Sequence, residues 1–295
     1  MRIAVVGATG QLGAAVVREC SSAHDVVALD HARLDVTVDA AVAETMRAVA
    51  PDAIVNAAAY NLVDAAEDHP IDALDGNAFA VRALARAATD LGAMFVHYSS
   101  DFVFDGTASV PYVEGDRPNP RSVYATSKLL GEWFAAEAPH AYVLRVESLF
   151  GRAPDARPAK GTIAAMTAAL LAGNDVTVFE DRTVTPTYVL DAALATRELL
   201  ERRVRPGLYH CVNSGVCTWL EFAEELARRL GVQPRLKRMR LEDAKLKANR
   251  PRYCALSNAK LASAGIVMPE WQDALGRYLR GVTGELAHEP SDRQA

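Results

Sequence analysis

The chain of 295 residues is half apolar and 23% charged, with a formal net charge of -5. That length allows one large domain, or a large domain with a smaller appendage. The mild negative balance gives no footing for nucleic acid, and no apolar run approaches the ~20 residues needed to cross a bilayer. The N-terminus, MRIAVVGATG, enters a glycine turn after a few apolar residues, unlike a secretory leader. Cys20, Cys211, Cys217 and Cys254 form no CxxC pair and no zinc-like spacing, so reduced thiols in a cytoplasmic protein without a metal site are expected.

Along the first half, short β-rich runs alternate with longer helical patterns. Strands are predicted at Ile3–Val6, Val26–Leu29, Ala53–Asn56, Met94–Tyr98 and Ala141–Arg145. Helices are predicted at Gln11–Ser21, Asp39–Val49, Ile71–Leu91 and Ser122–Glu137. This alternation predicts an α/β fold of Rossmann type, a doubly wound parallel sheet covered by helices on both faces. After Arg145 the regularity falters. A Pro/Ala/Arg-rich loop (Gly151–Gly161) precedes a helix near Thr162–Ala172, a strand near Val176–Phe179, a helix over Asp191–Arg203 and a strand over Gly207–Val212. Trp219–Leu230 is amphipathic, Arg235–Arg252 is basic and strand- or loop-like, and a helix around Pro269–Arg280 precedes a polar tail. The expected division is a dinucleotide-binding domain over 1–150, with 175–205 returning to it. A smaller C-terminal α/β substrate-binding part takes 151–174 and 206–284, and the tail takes 285–295.

Gly7-Ala8-Thr9-Gly10-Gln11-Leu12-Gly13 follows the run IAVV and opens a helical pattern, the context that a dinucleotide fingerprint requires. Gly7 and Gly10 are expected to let backbone approach a pyrophosphate at the helix N-terminus, and Gly13 to let helix pack on sheet. Asp30 ends the second strand at the distance of a ribose-binding carboxylate, with Arg33 close behind. Asp35 and Val36 begin a loop placed to cover the adenine. Ala57, Ala58 and Ala59 leave room beside a cofactor, and Asn77 is a polar residue in an otherwise apolar helix. The cofactor is therefore NADPH or NADH, with the phosphate preference open.

Ser100 precedes Tyr124-Ala125-Thr126-Ser127-Lys128. On a helix, Tyr124 and Lys128 lie one turn apart on one face. A phenol is a weak acid at neutral pH, and a neighbouring ammonium is expected to draw its pKa from about 10 toward about 7, roughly 4 kcal/mol of differential stabilisation. Ser100 supplies a second hydrogen bond to an oxygen gaining negative charge. Together these residues point to reduction of a carbonyl or oxidation of an alcohol.

The runs GATGQLG, VNAAAYNLVDAAEDHP, HYSSDFVFDG, PYVEGDRPNPRSVYATSKLLGE, PTYVLDA and RPRYCALSNAKL, in that order over residues 1–280, resemble the extended short-chain dehydrogenase/reductases. Among these the chain is most similar to the dTDP-4-dehydrorhamnose reductases. The resemblance implies reduction by NADPH or NADH of the 4-keto group of a nucleotide-activated deoxysugar, a dTDP-4-keto-6-deoxyhexose. It gives Ser100, Tyr124 and Lys128 catalytic roles, with Tyr124 and Lys128 also against the cofactor. A homodimer is one assembly it allows. Phe102 stands where the related 4,6-dehydratases carry the second residue of an acidic pair, which argues against dehydration.

The chain departs from the family at the pocket. Ser100 replaces threonine, Phe102 replaces tyrosine, and the run Val63-Asp64-Ala65-Ala66-Glu67 lacks its usual lysine. Where the family has RTSW, the chain has Arg145-Val146-Glu147-Ser148-Leu149, so Leu149 is expected to wall the sugar pocket in place of tryptophan, beside the new carboxylate of Glu147. Arg145, Arg250 and Arg252 are candidates for the substrate diphosphate, and Thr185-Pro186-Thr187 for the wall between cofactor and substrate. These exchanges imply an altered sugar specificity. Two other readings compete: a non-catalytic NAD(P)-binding subunit like that regulating methionine adenosyltransferase, and a sugar-nucleotide epimerase.

Overall fold

A computed structural model describes residues 1–153 and 161–286 of the chain. Strands β1 (Arg2–Val6), β2 (Asp25–Leu29), β3 (Ala53–Asn56), β4 (Met94–Ser100) and β5 (Ala141–Val146) pair in parallel, and Gly207–His210 joins the outer side of β5. The order across the six-stranded sheet is Gly207–His210, β5, β4, β3, β1, β2. β1, β3, β4 and β5 carry nearly unbroken buried runs, as strands covered on both faces must.

Helices α1 (Gln11–Ser21) and Val189–Arg202 cover one face, where Ala15, Val16, Ala192 and Leu199 share a core with Ile3 and Val5. On the other face α2 (Asp39–Val49) and Ala80–Leu91 bring Val42, Met46, Leu84 and Ala88 against Ile54 and Phe95. The sheet is therefore doubly wound. β2 lies on one side of β1 and β3 on the other, so the connection reverses there and opens a crevice at the carboxyl ends of β1 and β3. The helix predicted over 71–91 begins at Pro70 and widens into a π-helical turn at Asp75–Phe79.

A second lobe has its own core, built on Phe150, Trp219, Phe222, Trp271 and Tyr278. Helices Thr162–Leu171, Trp219–Leu230 and Trp271–Leu286 contribute to it. Trp219–Leu230 starts on a reciprocal cap between Thr218 and Glu221 and stops at Gly231, φ +68°.

The division expected from the sequence shifts in two places. Asp175–Phe179 pairs with Arg235–Met239 in the second lobe, because Val176 and Val178 point into that lobe's core. Gly207–His210, assigned to the small part, completes the main sheet and buries Tyr209 in the large core. Residues 154–160 of the predicted loop and 287–295 of the predicted tail lie outside the described residues. Among the described residues no helix is long and apolar enough to cross a membrane.

Candidate active site

The chain leaves β1 through Gly7, whose φ is +77°. A Cβ on Gly7 would sit 2.6 Å from the Ala58 nitrogen, and one on Gly13 would sit 2.2 Å from the Gly7 carbonyl oxygen. Both glycines are thus fixed by the protein's own backbone: Gly7 by the exit of β3, Gly13 by the seating of α1 on the turn. Gly10 is the extended N-cap of α1 and has no side chain to cap it. The first N–H groups of α1, next to exposed Thr9 and Gly10, therefore have no side-chain cap, the arrangement in which a helix N-terminus can receive an anion. Two neighbouring residues of the predicted cofactor set turn inward. Gln11 donates its amide to the Gly151 carbonyl at 2.7 Å, and Leu12 is buried in the core.

At the end of β2, Asp30 accepts the Arg33 N–H at 3.1 Å, and the exposed Arg33 guanidinium donates to the Ala28 carbonyl. A carboxylate and a cation both occupy this edge. Asp35 is taken up locally by the N–H and hydroxyl of Thr37, which hold its pKa down, while Val36 packs against the core. Ala57, Ala58 and Ala59 line the exit of β3, half-buried. Asn77 is spent within the protein. Its carbonyl oxygen accepts the Tyr60 N–H at 2.9 Å, and its amide donates to the Tyr60 carbonyl and the Ser127 hydroxyl, each at 3.0 Å. Ser127 in turn donates to the Tyr124 carbonyl, so Asn77 ties the 60s segment to the helix that carries Tyr124.

That helix, Val123–Ala135, starts where Ser122 accepts the Ala125 N–H and Glu67 accepts the Val123 N–H. Tyr124 and Lys128 are both buried on it, and Ser100 is buried at the end of β4. The Ser100 hydroxyl faces the Tyr124 phenol, and the Phe102 ring meets the Tyr124 ring edge-on at 5.8 Å. The electrostatics differ from the expectation. Burial, reinforced by Asp101, holds the Tyr124 pKa well above the ordinary phenol value, and the phenol stays protonated. Lys128 donates instead to the Tyr98 carbonyl at 2.5 Å, and burial pushes its ammonium down to about 8. His97, buried behind it, is held neutral by burial and by Lys128.

Next to Ser100 lies a cluster the sequence barely announced. Carboxylate oxygens of Asp101 and Glu147 and the Cys254 sulfur lie within 4.8 Å of one another, all buried. Asp101 Oδ1 accepts the Ser100 hydroxyl at 2.9 Å, and the Cys254 thiol faces the same carboxyl. Glu147 accepts both the N–H and the hydroxyl of Thr185, and the Ser148 hydroxyl at 3.0 Å. Burial raises both carboxyl groups, and the Asp101 charge raises Glu147 further. Arg182 supplies the facing cation; it donates to the Cys254 sulfur at 3.3 Å and to the Pro251 carbonyl at 3.1 Å. In the chain Asp101 simply follows Ser100, and Arg182 lies far downstream. Nothing in the spacing brought them together with Cys254.

The residues expected to meet the substrate fare differently. Arg145 is buried under the sheet, where Glu132 accepts two of its N–H groups at 2.8 and 2.7 Å and the Phe104 ring lies 4.8 Å away. It is a core ion pair, not a diphosphate ligand. Arg250 is held by both oxygens of Asp64, at 2.8 and 3.0 Å, and Asp64 also accepts the Ala248 N–H. Arg252 is exposed and 3.4 Å from Asp181. Counting from Arg145, the fourth residue of the altered run is Ser148, with φ +44°, whereas Leu149 pairs with Thr187 and packs against the large core. Thr185 is consumed by Glu147 and by the Leu256 N–H, so it joins the lobes rather than walling a pocket.

Residues 1–283 match the family of the RmlD substrate binding domain. The chain is 31% identical over 281 residues to the spore coat polysaccharide biosynthesis protein SpsK of Bacillus subtilis, covering 95% of this chain and 97% of that one. It is 34% identical over 298 residues to the dTDP-4-dehydrorhamnose reductase of Escherichia coli, with the same coverage. The solved dTDP-4-dehydrorhamnose reductase of Bacillus anthracis in complex with NADP superposes with a TM-score of 0.89 at 29% identity, covering 95% of this chain and 98% of that one. The buried Ser–Tyr–Lys set, the uncapped glycine turn and these full-length similarities converge: the chain belongs to the RmlD substrate-binding-domain family, that of the dTDP-4-dehydrorhamnose reductases.

Proposed function

We propose that the protein is an NAD(P)H-dependent reductase of the 4-keto group of a nucleotide-activated deoxysugar, with Ser100 and Tyr124 at the reacting oxygen and Lys128 beneath them. One observation carries the reading: a buried tyrosine, kept protonated and faced by a serine hydroxyl, sits at the carboxyl edge of a sheet whose glycine turn offers an uncapped helix N-terminus.

The residues present fit a dinucleotide. Gly7 and Gly13 leave no space for side chains, the N-cap of α1 is bare, and Ala57–Ala59 keep the crevice open. When bound, the nicotinamide supplies hydride to the carbonyl carbon. As the carbonyl oxygen gains charge, Tyr124 gives it the phenolic proton, and Ser100 turns its single hydroxyl hydrogen from Asp101 to donate to it. A raised phenol pKa suits this direction, because the group must start protonated. Lys128, charged below about pH 8, is a cation one helical turn away that steadies the phenolate left after transfer. The exposed guanidinium of Arg33 and the NADP bound by the Bacillus anthracis relative favour NADPH. The second lobe, with Arg250 and Arg252 at its edge, is proposed to receive the sugar nucleotide.

The test is nicotinamide absorbance with a panel of dTDP-, UDP- and GDP-linked 4-keto sugars, using NADPH and NADH. Turnover with at least one sugar is expected, and Tyr124→Phe should lower kcat by about 10²–10⁴-fold while NADPH still binds. A Tyr124→Phe protein with full turnover would remove the proton-donor role. Cofactor binding with no turnover on any sugar would overturn the reductase reading in favour of a binding subunit.

A further inference from the structure

The chain from Ala244 to Asn258 forms neither helix nor paired strand apart from single bridges at Tyr253 and Leu256, yet its two ends are held very differently. Backbone holds the rear. The Tyr253 N–H donates to the Gly106 carbonyl at 3.2 Å, the Cys254 N–H to the Thr183 carbonyl at 2.8 Å, and the Thr183 N–H to the Arg252 carbonyl at 3.0 Å. Pro251 and Cys254 are buried, and Arg182 Nε donates to the Pro251 carbonyl. Gly106 lies so close that a Cβ on it would stand 2.6 Å from the Arg252 nitrogen. At the front the chain reaches the 60s segment through side chains. Asp64 accepts the Ala248 N–H at 2.9 Å and two Arg250 N–H groups, and Lys247 pairs with Asp68.

The Tyr124–Phe102 pair lies between these anchors. Val63, next to the front anchor, packs in the same apolar cluster as Tyr124 and Phe102. Arg182, at the rear anchor, has its guanidinium carbon 5.9 Å from the centre of the Phe102 ring, and that ring meets Tyr124 edge-on. Residues 247–251 therefore join one flank of the pair to the other. A cavity of about 630 Å³ bounded by Asn249, Pro70, Leu74, Ser122, Val123 and Thr126 leaves this stretch unpacked on one side. Buried backbone bonds at the rear are shielded from water, whereas Lys247 and Asp68 are exposed and Asp64 is half-exposed. Ion pairs of that kind contribute little and are weakened by salt, so local opening starts at the front.

We propose that residues 247–251 are a strap on the sugar side of the crevice, hinged at Pro251–Cys254 and latched at Asp64 and Asp68, and that release of the latch admits the nucleotide sugar to Tyr124. This rests on the reading of Tyr124 as the group that meets the substrate. Closed, the strap screens the reacting carbonyl from water; open, it gives the sugar a way in.

Locking the latch tests the strap. The four native cysteines are all buried and positions 68 and 247 are exposed, so a short bis-maleimide added to full-length Asp68→Cys/Lys247→Cys meets the introduced pair. Against the same variant capped with N-ethylmaleimide, the bridged protein should bind NADPH equally and turn over the nucleotide sugar at least about tenfold more slowly. Equal turnover of bridged and capped protein overturns the proposal. Should that variant not fold or bridge, Asp64→Cys/Ala248→Cys is compared oxidised and reduced, with the slow oxidised form regaining its rate in dithiothreitol.

Amide hydrogen exchange on the wild type reads the strap without substrate. The Ala248 N–H should exchange at least about tenfold faster than the Cys254 N–H, and added salt should speed the first and not the second. Equal protection at the two ends means that there is no hinge and overturns the proposal. Should no form turn over any sugar, the reductase reading fails, and the exchange contrast still decides whether the strap opens.

Discussion

The two sides of the crevice use their polar residues in opposite ways. On the β1–α1 side, backbone does the work: Gly7, Gly10 and Gly13 shape a turn whose helix start has no side-chain cap. Among the side chains the sequence offered to the substrate, the buried or half-buried charges are already partnered. Arg145 is held by Glu132, Arg250 by Asp64, and Glu147 by Thr185. A binding surface made of backbone is set by local sequence, whereas one made of long charged side chains depends on which opposite charge the fold delivers.

Breaking that second pattern should have the largest effect. Glu132→Ala leaves the Arg145 guanidinium buried without its carboxylate, and about 3–5 kcal/mol of stability should be lost in denaturant unfolding. A loss below about 1 kcal/mol, with a raised KM for the sugar nucleotide, would return Arg145 to the substrate site. Next comes the backbone side. Gly13→Ala forces a methyl group into the Gly7 carbonyl, so a destabilisation of about 1–3 kcal/mol should accompany weaker NADPH binding. An unaltered melting curve would show that α1 need not sit so close.

The smallest effect belongs to the clasp between the 60s segment and the 247–250 segment. Asp64 is 43% exposed, so Asp64→Asn should change stability by less than about 1 kcal/mol near neutral pH. The Arg250 hydrogen bonds hold its pKa down to about 2. Its contribution is therefore present above the ordinary aspartate range and lost as pH falls through about 2, where the Asn variant and wild type should converge in circular-dichroism melts. If Arg250 also serves the diphosphate, the variant should change KM and leave kcat in place; an unchanged KM assigns Arg250 to the clasp alone.

Much of this was legible before folding was considered. The apolar runs IAVV and AIVN read correctly as buried parallel strands because covering both faces removes the usual alternation. Tyr124 and Lys128 fell on one helix because four-residue spacing needs only local geometry. Asn77 was noticed as an anomaly, yet its partners, Tyr60 and Ser127, lie 17 and 50 residues away. Leu149 read as a pocket wall from its place in the run, whereas its pairing with Thr187 is a fact of the tertiary structure alone.

The sequence by itself determined the doubly wound sheet, the glycine turn and the Ser100–Tyr124–Lys128 set, since periodicity, turn chemistry and helical spacing act over a few residues. Only the tertiary structure decided the direction in which Tyr124 is shifted, the pairing of Asp64 with Arg250 across 186 residues, and the gathering of Asp101, Glu147, Arg182 and Cys254. The reason is electrostatic. Desolvation and charge pairing depend on distances in space, and the chain sets those distances only when remote segments pack.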